Sequence, residues 1–386
     1  MKIYLYLAVL FFFLSLEAQK KKSVTKCVWV AINSTRKGPS QARSTFIQVK
    51  SDIRTLTLSA TKFGGHGYCV NITSMPRRVF SRSLHTVERP LVNPWFLTGL
   101  VDAEGSYIVQ IFKDVSRNLG YSVLVSFELA LNVKDKLLLD LLQENLGNVG
   151  NIYYNPQDNT YKYKVSSVEK LTNFVIPFFQ KFPLLTQKRV DFEIFVKIIE
   201  IINKKKHLTS KGLQDIINLK ASLNLGLSNK LSDTFNVVPV ARPKFNPTLI
   251  SDPAWLAGFC EGESCFYISI SKSPKSKSGW AIQLVFKITQ HSRDIQLLYL
   301  IKDYLDCGRV EKRAGFAADF TVTSRACLES KILTFFDKYP LLGSKLLNLN
   351  DFNEAFKIIE AKDHLTDEGL NKIRVIKAGM NTGRKE

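Results

Sequence analysis

Two pairs of acidic residues, each separated by one residue, are the groups in this chain best placed to do chemistry. Asp102 and Glu104 close the segment LTGLVDAEG, and Glu261 and Glu263 close the segment LAGFCEGES. Carboxylates a few ångströms apart repel each other, and a hard divalent cation with oxygen ligands relieves that repulsion. One such pair alone is usually a solvated helix end, so the presence of two equivalent pairs is what favours a site.

The two acidic segments belong to a tandem repeat. An offset of 159 residues aligns Glu104 with Glu263, and an offset of 157 residues aligns His207 with His364. A drift of two residues over a whole repeat is ordinary loop variation. The expected divisions are an extension over residues 1–88, a first repeat over 89–227, a linker over 228–253 and a second repeat over 254–386.

Each repeat has the element order αββαββα, which predicts an α+β fold with antiparallel sheets. An apolar helix ends in the acids, and a strand follows at once. The next predicted elements of the first repeat are Tyr107–Phe112, Ser122–Leu131, Asp135–Glu144, Ile152–Tyr154, Tyr161–Val165 and Val190–Ile202. Those of the second are Phe266–Ser271, Ala281–Gln290, Arg293–Leu305, Arg309–Lys312, Phe320–Thr323 and Glu354–Ala361.

Glycines within the two apolar helices predict that these helices pack side by side. Gly99 and Gly258 each lower helix propensity by about 1 kcal/mol, a cost that is tolerated where another backbone must come close. Such packing would bring Glu104 and Glu263 together beside the helix C-terminal carbonyls. Mg²⁺ suits the site because it retains water and accepts phosphate oxygens, which indicates phosphodiester hydrolysis.

The charge of the chain predicts a polyanionic partner. Its 386 residues have a formal net charge of +20. Residues 1–90 carry 15 Lys and Arg against 3 Asp and Glu, whereas the rest carry 39 against 31. The repeats must therefore concentrate their basic residues on one face to bind nucleic acid.

The first 88 residues and the cysteines add expectations of their own. Ile3–Leu16 is an apolar run of signal-peptide length, too short for a membrane span. We interpret it as upstream sequence translated in frame, with no stable membrane association, and secretion is the alternative. The rest of the extension, rich in Ser, Thr, Lys and Arg, predicts disorder. The six cysteines, Cys260 and Cys265 included, form no zinc pattern and are expected to be reduced.

The two acidic segments resemble the two signatures of a single-chain LAGLIDADG homing endonuclease. FPLLTQK and YPLLGSK, HLT followed by GL, and LVFKITQH resemble the I-OnuI-like enzymes of fungal mitochondrial introns. The resemblance runs from about Pro90 to Arg384. It implies two pseudo-symmetric αββαββα units with the signature helices at their interface and two sheets forming a DNA-binding saddle. The implied protein is a monomeric, site-specific, Mg²⁺-dependent endonuclease that cuts both strands of DNA in the mitochondrion.

The resemblance also assigns roles to residues of both repeats. The carbonyls of Ala103 and Gly262 would assist metal binding by the acids at the eighth signature position. The sixth-position acids, Asp102 and Glu261, would be structural at the interface. The implied metal-binding and catalytic residues are Glu104, Glu263, Lys188, Lys345 and Gln290, with Leu131 at the position of Gln290 in the first repeat.

The ninth signature position departs from the family pattern, because Ser264 stands where glycine is usual. If the backbone there needs positive φ or very close packing, serine costs about 1 kcal/mol or more. Displacement of Glu263 would then slow the cutting of one strand, and nicked DNA would accumulate.

Strand alternation predicts which residues face DNA, with about 10 bp covered by each sheet. The predicted set is Ser106, Ile108, Gln110, Leu124, Ser126, Glu128, Lys162 and Lys164 in the first repeat, and Tyr267, Ser269, Ser271, Gln283, Lys287 and Asp319 in the second. A polar sheet face can also be simply solvated.

Two other functions stay open: an RNA maturase that assists splicing of intron RNA, and a DNA-binding protein that has lost catalysis. Metal-dependent cleavage of duplex DNA distinguishes the nuclease from the maturase. Loss of one of the two glutamates would indicate a protein that has lost catalysis, and both Glu104 and Glu263 are present.

Overall fold

The structure is a computed structural model. It describes residues 92–276 and 278–384, and the backbone alone of four strands nearer the N-terminus. The chain divides into two compact units, Met1–Val87 and Glu88–Glu386. Both repeats lie in the second unit.

The N-terminal unit contains a four-stranded antiparallel sheet in which strands adjacent in sequence pair. Its strands are β1 (Trp29–Asn33), β2 (Thr45–Ser51), β3 (Arg54–Phe63) and β4 (Gly67–Thr73). These ranges form paired strands, and the rest of the extension, for which disorder is also predicted, lies outside the described residues. The polar composition concealed a period-two pattern, seen in the Thr-Leu-Thr-Leu alternation of residues 55–58. The apolar run Ile3–Leu16 lies outside the described residues.

The first repeat begins with helix α1 (Pro94–Glu104), which starts where the Asn93 side chain accepts a hydrogen bond from the backbone of Trp95 at 3.0 Å. A proline at its first position suits that start. The elements that follow are β5 (Gly105–Lys113), β6 (Tyr121–Asn132), α2 (Lys136–Asn145), β7 (Asn151–Asn155), β8 (Thr160–Val165), a helical stretch α3 over residues 168–181, α4 (Lys188–Asn203) and α5 (Ser210–Ala221).

The second repeat has the same order, and the predicted α+β fold of two αββαββα units is confirmed. Its first helix, α6 (Pro253–Glu263), is capped by Asp252, which accepts from the backbone of Ala254 at 2.7 Å. The elements that follow are β9 (Ser264–Lys272), β10 (Trp280–His291), α7 (Ile295–Leu305), β11 (Arg309–Lys312), β12 (Ala317–Val322), a helical stretch α8 over residues 325–338, α9 (Lys345–Glu360) and α10 (Asp367–Gly379).

Each repeat has one antiparallel sheet, ordered β5-β6-β8-β7 in the first and β9-β10-β12-β11 in the second. One face of each sheet packs on helices through equivalent aromatic clusters. Tyr107 lies with its ring centroid 5.4 Å from that of Phe127, and Phe266 lies 5.0 Å from Phe286. The opposite faces carry the polar residues, so burial of one face fixes which side chains are left for a partner.

Helices α1 and α6 pack backbone to backbone. A β-carbon built on Gly99 would lie 1.9 Å from the carbonyl oxygen of Trp255, and one built on Gly258 would lie 1.8 Å from that of Phe96. No side chain larger than hydrogen fits at either position. The structure therefore shows at both glycines the close approach of a second helix that the sequence predicts.

The linker lies against the first repeat rather than crossing open solvent. Arg242 forms an ion pair with the buried Asp191 of α4 at 2.5 Å. The Arg189 guanidinium lies 4.7 Å from the ring centroid of Phe245. A short helix, Asn229–Ser232, is the linker's one helical segment. In the part of the chain that the structure describes, no helix is long and apolar enough to cross a membrane.

Replacing Gly99 with alanine should destabilise the fold by about 3 kcal/mol or more, because the added methyl group meets backbone that cannot rotate away. The measurement is the free energy of unfolding in urea. Gly379→Ala is the matched control, since a β-carbon there meets nothing within 4 Å. That control should keep or raise stability by up to about 1 kcal/mol. Equal stability of the two variants would contradict the packing described.

Candidate active site and nucleic-acid interface

Glu104 and Glu263 are the last residues of α1 and α6, and the helix contact brings them to the same place. A β-carbon built on Gly262 would lie 2.8 Å from Oε1 of Glu104 and 2.5 Å from the β-carbon of Ala103. The Glu104 carboxylate thus lies directly against the backbone that precedes Glu263. Glycine at position 262 leaves the room that this approach requires.

The electrostatics of the site disfavour two negative charges unless a cation is present. Burial raises the pKa of Glu263, and the charge of Glu104 raises it further. A hydrogen bond from the Gln290 side chain and the positive charges of Lys188 and Lys345 lower it. Gln290, predicted from the resemblance alone, therefore lies in contact with one of the two acids.

Lys188 and Lys345 occupy equivalent positions beside the acids. The Lys188 ammonium donates to the carbonyl oxygens of Val101 at 3.0 Å and Ala103 at 3.1 Å. The Lys345 ammonium donates to the carbonyl oxygen of Gly262 at 3.0 Å. Burial lowers the pKa of both ammonium groups below the ordinary value. Each helix end therefore has one lysine held against its final turn.

Asp102, the sixth-position acid of the first repeat, is 3% exposed. It lies on α1 and hydrogen-bonds to two other segments, the loop before Lys188 and helix α6. It accepts hydrogen bonds from the backbone nitrogens of Leu185 at 2.7 Å and Thr186 at 3.1 Å. It also accepts from the indole nitrogen of Trp255, in the other repeat, at 2.8 Å. Burial raises the pKa of Asp102, and these hydrogen bonds lower it. Its contacts are those of a structural residue.

Glu261 holds the equivalent loop of the second repeat. It accepts from the backbone nitrogens of Leu342 at 2.5 Å and Gly343 at 2.8 Å. Burial raises its pKa, and the same two hydrogen bonds lower it. Since these loops lead directly into Lys188 and Lys345, each sixth-position acid fixes the segment that carries a lysine of the site.

A second pair of carboxylates crosses between the repeats, and sequence reasoning missed its role. Asp135 accepts from the backbone nitrogen of Ser344 at 2.5 Å and from its hydroxyl at 2.9 Å. Asp294 accepts from the backbone nitrogen of Gln187 at 2.7 Å. Their common offset of 159 residues was visible, but nothing in the sequence indicated that each aspartate reaches the opposite repeat.

The oxygen atoms at the helix ends fit a hard divalent cation. Among the residues that the structure describes, no three His, Cys, Asp or Glu side chains are grouped as a metal site. The protein thus offers two carboxylates, and carbonyl, water or phosphate oxygens would complete the shell, as Mg²⁺ and Ca²⁺ accept. The carbonyls of Ala103 and Gly262 each accept from a lysine, and each keeps a second lone pair.

The strand registers place the predicted DNA-facing residues on the sheet faces away from the helices. Rows across β5 and β6 pair Ser106 with Glu128, Ile108 with Ser126, and Gln110 with Leu124. Rows across β6 and β8 add Lys164 beside Glu128 and Lys162 beside Ala130. Rows in the second sheet pair Ser269 with Gln283, Ser271 with Ala281, Tyr267 with Val285, Lys287 with Thr321, and Asp319 with Thr289.

Three of these residues are enclosed instead of open on that face: Ser126 is 5% exposed, Glu128 9% and Asp319 6%. The registers also add residues that the sequence analysis missed. Asn151 lies opposite Lys164, and Tyr153, which is 53% exposed, lies opposite Lys162. The β7–β8 hairpin was predicted, but its register was needed to show which side chains share the face.

Comparison with known proteins gives one match in each repeat. The profile of the LAGLIDADG endonuclease family matches residues 97–199 and 256–356. The chain belongs to this family. The predicted resemblance is confirmed.

Solved LAGLIDADG structures share the fold. The I-LtrWI homing endonuclease bound to target DNA is 51% identical, with a TM-score of 0.74, over 76% of this chain and 98% of that chain. I-SmaMI bound to an uncleaved DNA target with calcium ions is 41% identical, with a TM-score of 0.73, over 75% of this chain and 99% of that chain. A divalent cation was thus present with a DNA-bound relative.

A curated relative extends beyond this chain. "Probable intron-encoded endonuclease 3" of Neurospora crassa is 36% identical over 301 residues. The match covers 77% of this chain but 56% of that protein.

Ser264, at the ninth LAGLIDADG position of the second repeat, does not meet the conditions under which serine would be costly. Ser264 has φ −90°, and Gly105, its equivalent, has φ −74°. The Ser264 hydroxyl donates to the carbonyl oxygen of Cys260 at 2.7 Å. At Gly105 a β-carbon would lie 2.5 Å from Cγ1 of Val101. The expected strain at Ser264 is wrong. Whether a β-carbon fits at the ninth position depends on the residue four positions earlier, which is Val101 in the first repeat and Cys260 in the second.

Reciprocal substitutions should therefore have unequal effects. Ser264→Gly loses one buried hydrogen bond and should cost about 1 kcal/mol of unfolding free energy, with no change in the ratio of nicked to linear DNA. Gly105→Ser should cost about 2 kcal/mol or more, because Val101 blocks the added carbon. Urea unfolding and a plasmid cleavage time course are the measurements. A fall in nicked DNA with Ser264→Gly would restore the original expectation.

Proposed function

We propose that this chain is a site-specific endonuclease that cuts both strands of a DNA duplex with Mg²⁺ held by Glu104 and Glu263. One observation carries the proposal: two helix-end carboxylates, each beside a buried lysine, meet between two sheets whose outward faces are polar. A site at that position would lie against the backbone of a duplex bound by both sheets. The DNA-bound LAGLIDADG relatives support the choice of substrate.

The residues of the site divide the chemistry among them. Mg²⁺, when bound, would lower the pKa of an attacking water and stabilise a leaving oxygen. Glu104 and Glu263 would hold the cation, with the carbonyls of Ala103 and Gly262 assisting. Lys188 and Lys345 would place positive charge beside the scissile phosphates, where negative charge develops. The amide of Gln290, in contact with Glu263, would orient water on one side of the site.

The proposed target is long and asymmetric. The two sheets present different side chains, and each would cover about 10 bp of major groove. Because one chain contains both repeats, a monomer is sufficient to bind both half-sites. The intron-encoded relative and the resemblance to enzymes of fungal mitochondrial introns support a mitochondrial location.

The basic extension favours a second candidate, an RNA maturase acting on the host intron. Residues 1–90 carry 15 Lys and Arg against 3 Asp and Glu, and this excess lies outside both repeats. Splicing of the intron RNA with and without the protein tests this activity separately from DNA cleavage.

Glu104→Gln and Glu263→Gln should each abolish double-strand cleavage, with a loss of at least about 100-fold, while duplex binding stays within a few-fold of wild type. The acids hold metal and read no bases, which is the physical reason. The substrate is a duplex that the wild-type protein cuts, recovered from a randomised library with Mg²⁺. Glu368→Gln, on the exposed surface of α10, is the control and should cut normally. Full cleavage by either signature variant would refute the metal assignment.

A protein that begins at Pro90 should fold and cut like the full chain. The I-LtrWI structure is matched over 98% of its length by 76% of this chain, which supports the sufficiency of the repeats. Thermal unfolding and cleavage of the same duplex are the measurements. A shortened protein that is folded but inactive would show that the extension takes part in the reaction.

A further inference from the structure

An ion pair occurs at equivalent positions of the two DNA-facing sheets with its charges reversed. Position 128 aligns with 287, and position 162 aligns with 319. In the first repeat Glu128 on β6 lies 3.5 Å from the ammonium of Lys162 on β8. In the second repeat Lys287 on β10 lies 3.2 Å from the carboxylate of Asp319 on β12. The cation of the pair is therefore on β8 in the first sheet and on β10 in the second.

The acid of the first pair is occupied by protein partners. The Glu128 side chain is 11% exposed. It contacts the ammonium of Lys164 at 2.8 Å and accepts a hydrogen bond from the Ser126 hydroxyl at 2.8 Å. These contacts, together with Lys162, lower its pKa against the effect of burial, so it is held as a carboxylate. Such an acid has little capacity left to accept a hydrogen bond from a base.

The acid of the second pair is enclosed in the same way. The Asp319 side chain is 8% exposed and accepts from the Thr289 hydroxyl at 2.7 Å. The Arg313 guanidinium lies 3.6 Å from Oδ2 of Asp319. The cations around the two acids are more accessible than the acids themselves. The exposed fraction of the side chain is 46% for Lys162, 39% for Lys164, 24% for Lys287 and 56% for Arg313.

The location of the cation decides which base pair it can reach. Neighbouring strands lie about 4.8 Å apart. Successive base pairs rise by about 3.4 Å. Along a groove that crosses the strands, a cation on β8 in the first sheet and one on β10 in the second therefore differ in position by about one to two base pairs. Guanine presents two acceptors, O6 and N7, in the major groove, and lysine is a suitable donor to both.

We propose that Lys164, which lies closer to Glu128 than Lys162 does on the same strand, and Lys287 each read a guanine. Glu128 and Asp319 are then positioning residues for these lysines. The two guanines lie at different distances from the centre of the target, so the reversed pair makes the half-sites unlike. This inference rests on the proposed function, because it supposes duplex DNA on both sheets. It also replaces the expectation that Glu128 and Asp319 contact bases themselves.

The test is a preference profile. The probe is a duplex recovered by wild-type cleavage from a randomised library, with every single base-pair change made in turn. The wild type should favour guanine by about 10-fold at one base pair in each half-site. Lys287→Met should remove that preference at one position only, and Lys164→Met at one position in the other half. Lys302→Met, on the surface of α7, is the matched control and should leave the profile unchanged.

Variants of the acid separate positioning from stability. Asp319→Asn should broaden the preference at the same base pair that Lys287→Met affects, at temperatures where the variant is folded. Lys287→Glu combined with Asp319→Lys should move the guanine preference to a neighbouring base pair. An unchanged profile in Lys287→Met, or an equal loss of base preference at all positions, would overturn the inference. Cleavage by the wild type would still uphold the proposed function in that case. Failure of the wild type to select any duplex would refute both.

Discussion

The backbone contact between α1 and α6 is the constraint on which the rest of the structure depends. Gly99 and Gly258 let each helix approach the carbonyl oxygens of the other. At the opposite end of the helices, the capping residues Asn93 and Asp252 hydrogen-bond to each other at 3.3 Å. With both ends fixed, the separation of Glu104 from Glu263 and the positions of the two sheets follow from one packed interface.

The same hydrogen bonds that join the repeats also position the site. Asp102 binds the loop before Lys188 and the indole of Trp255 in the other repeat. Asp135 and Asp294 each bind the loop that leads into the lysine of the opposite repeat. A buried carboxylate is costly unless its hydrogen bonds are made. The interface therefore cannot shift without releasing the segments that carry Lys188 and Lys345.

The sequence contained enough to predict the repeats because their signals are local and occur twice. Helix α1 had its cap, its glycine and its acids in one segment, and Tyr107 and Phe266 marked the strands that follow. The carboxylates that cross between repeats could not be predicted, since each depends on the packing of segments far apart in sequence. The enclosure of Glu128 and Asp319 required the register of β8 and β12, which alternation alone does not give.

Ser264 illustrates the limit of reasoning from a family pattern. The pattern marked the residue as unusual, but the cost of a β-carbon depends on local φ and on the residue four positions earlier. That residue is Val101 in the first repeat and Cys260 in the second. Serine is acceptable at position 264 because its hydroxyl donates to the carbonyl oxygen of Cys260, and no special backbone conformation is needed.

The most direct test of the central claim is the position of a bound cation relative to the two helix ends. A crystal of the protein with its selected duplex and Mn²⁺ would locate the ion by its anomalous scattering. The account predicts ions coordinated by carboxylate oxygens of both Glu104 and Glu263, at about the 2.0–2.1 Å expected for a small divalent cation. Ions bound elsewhere on the complex, with neither glutamate as a ligand, would contradict it.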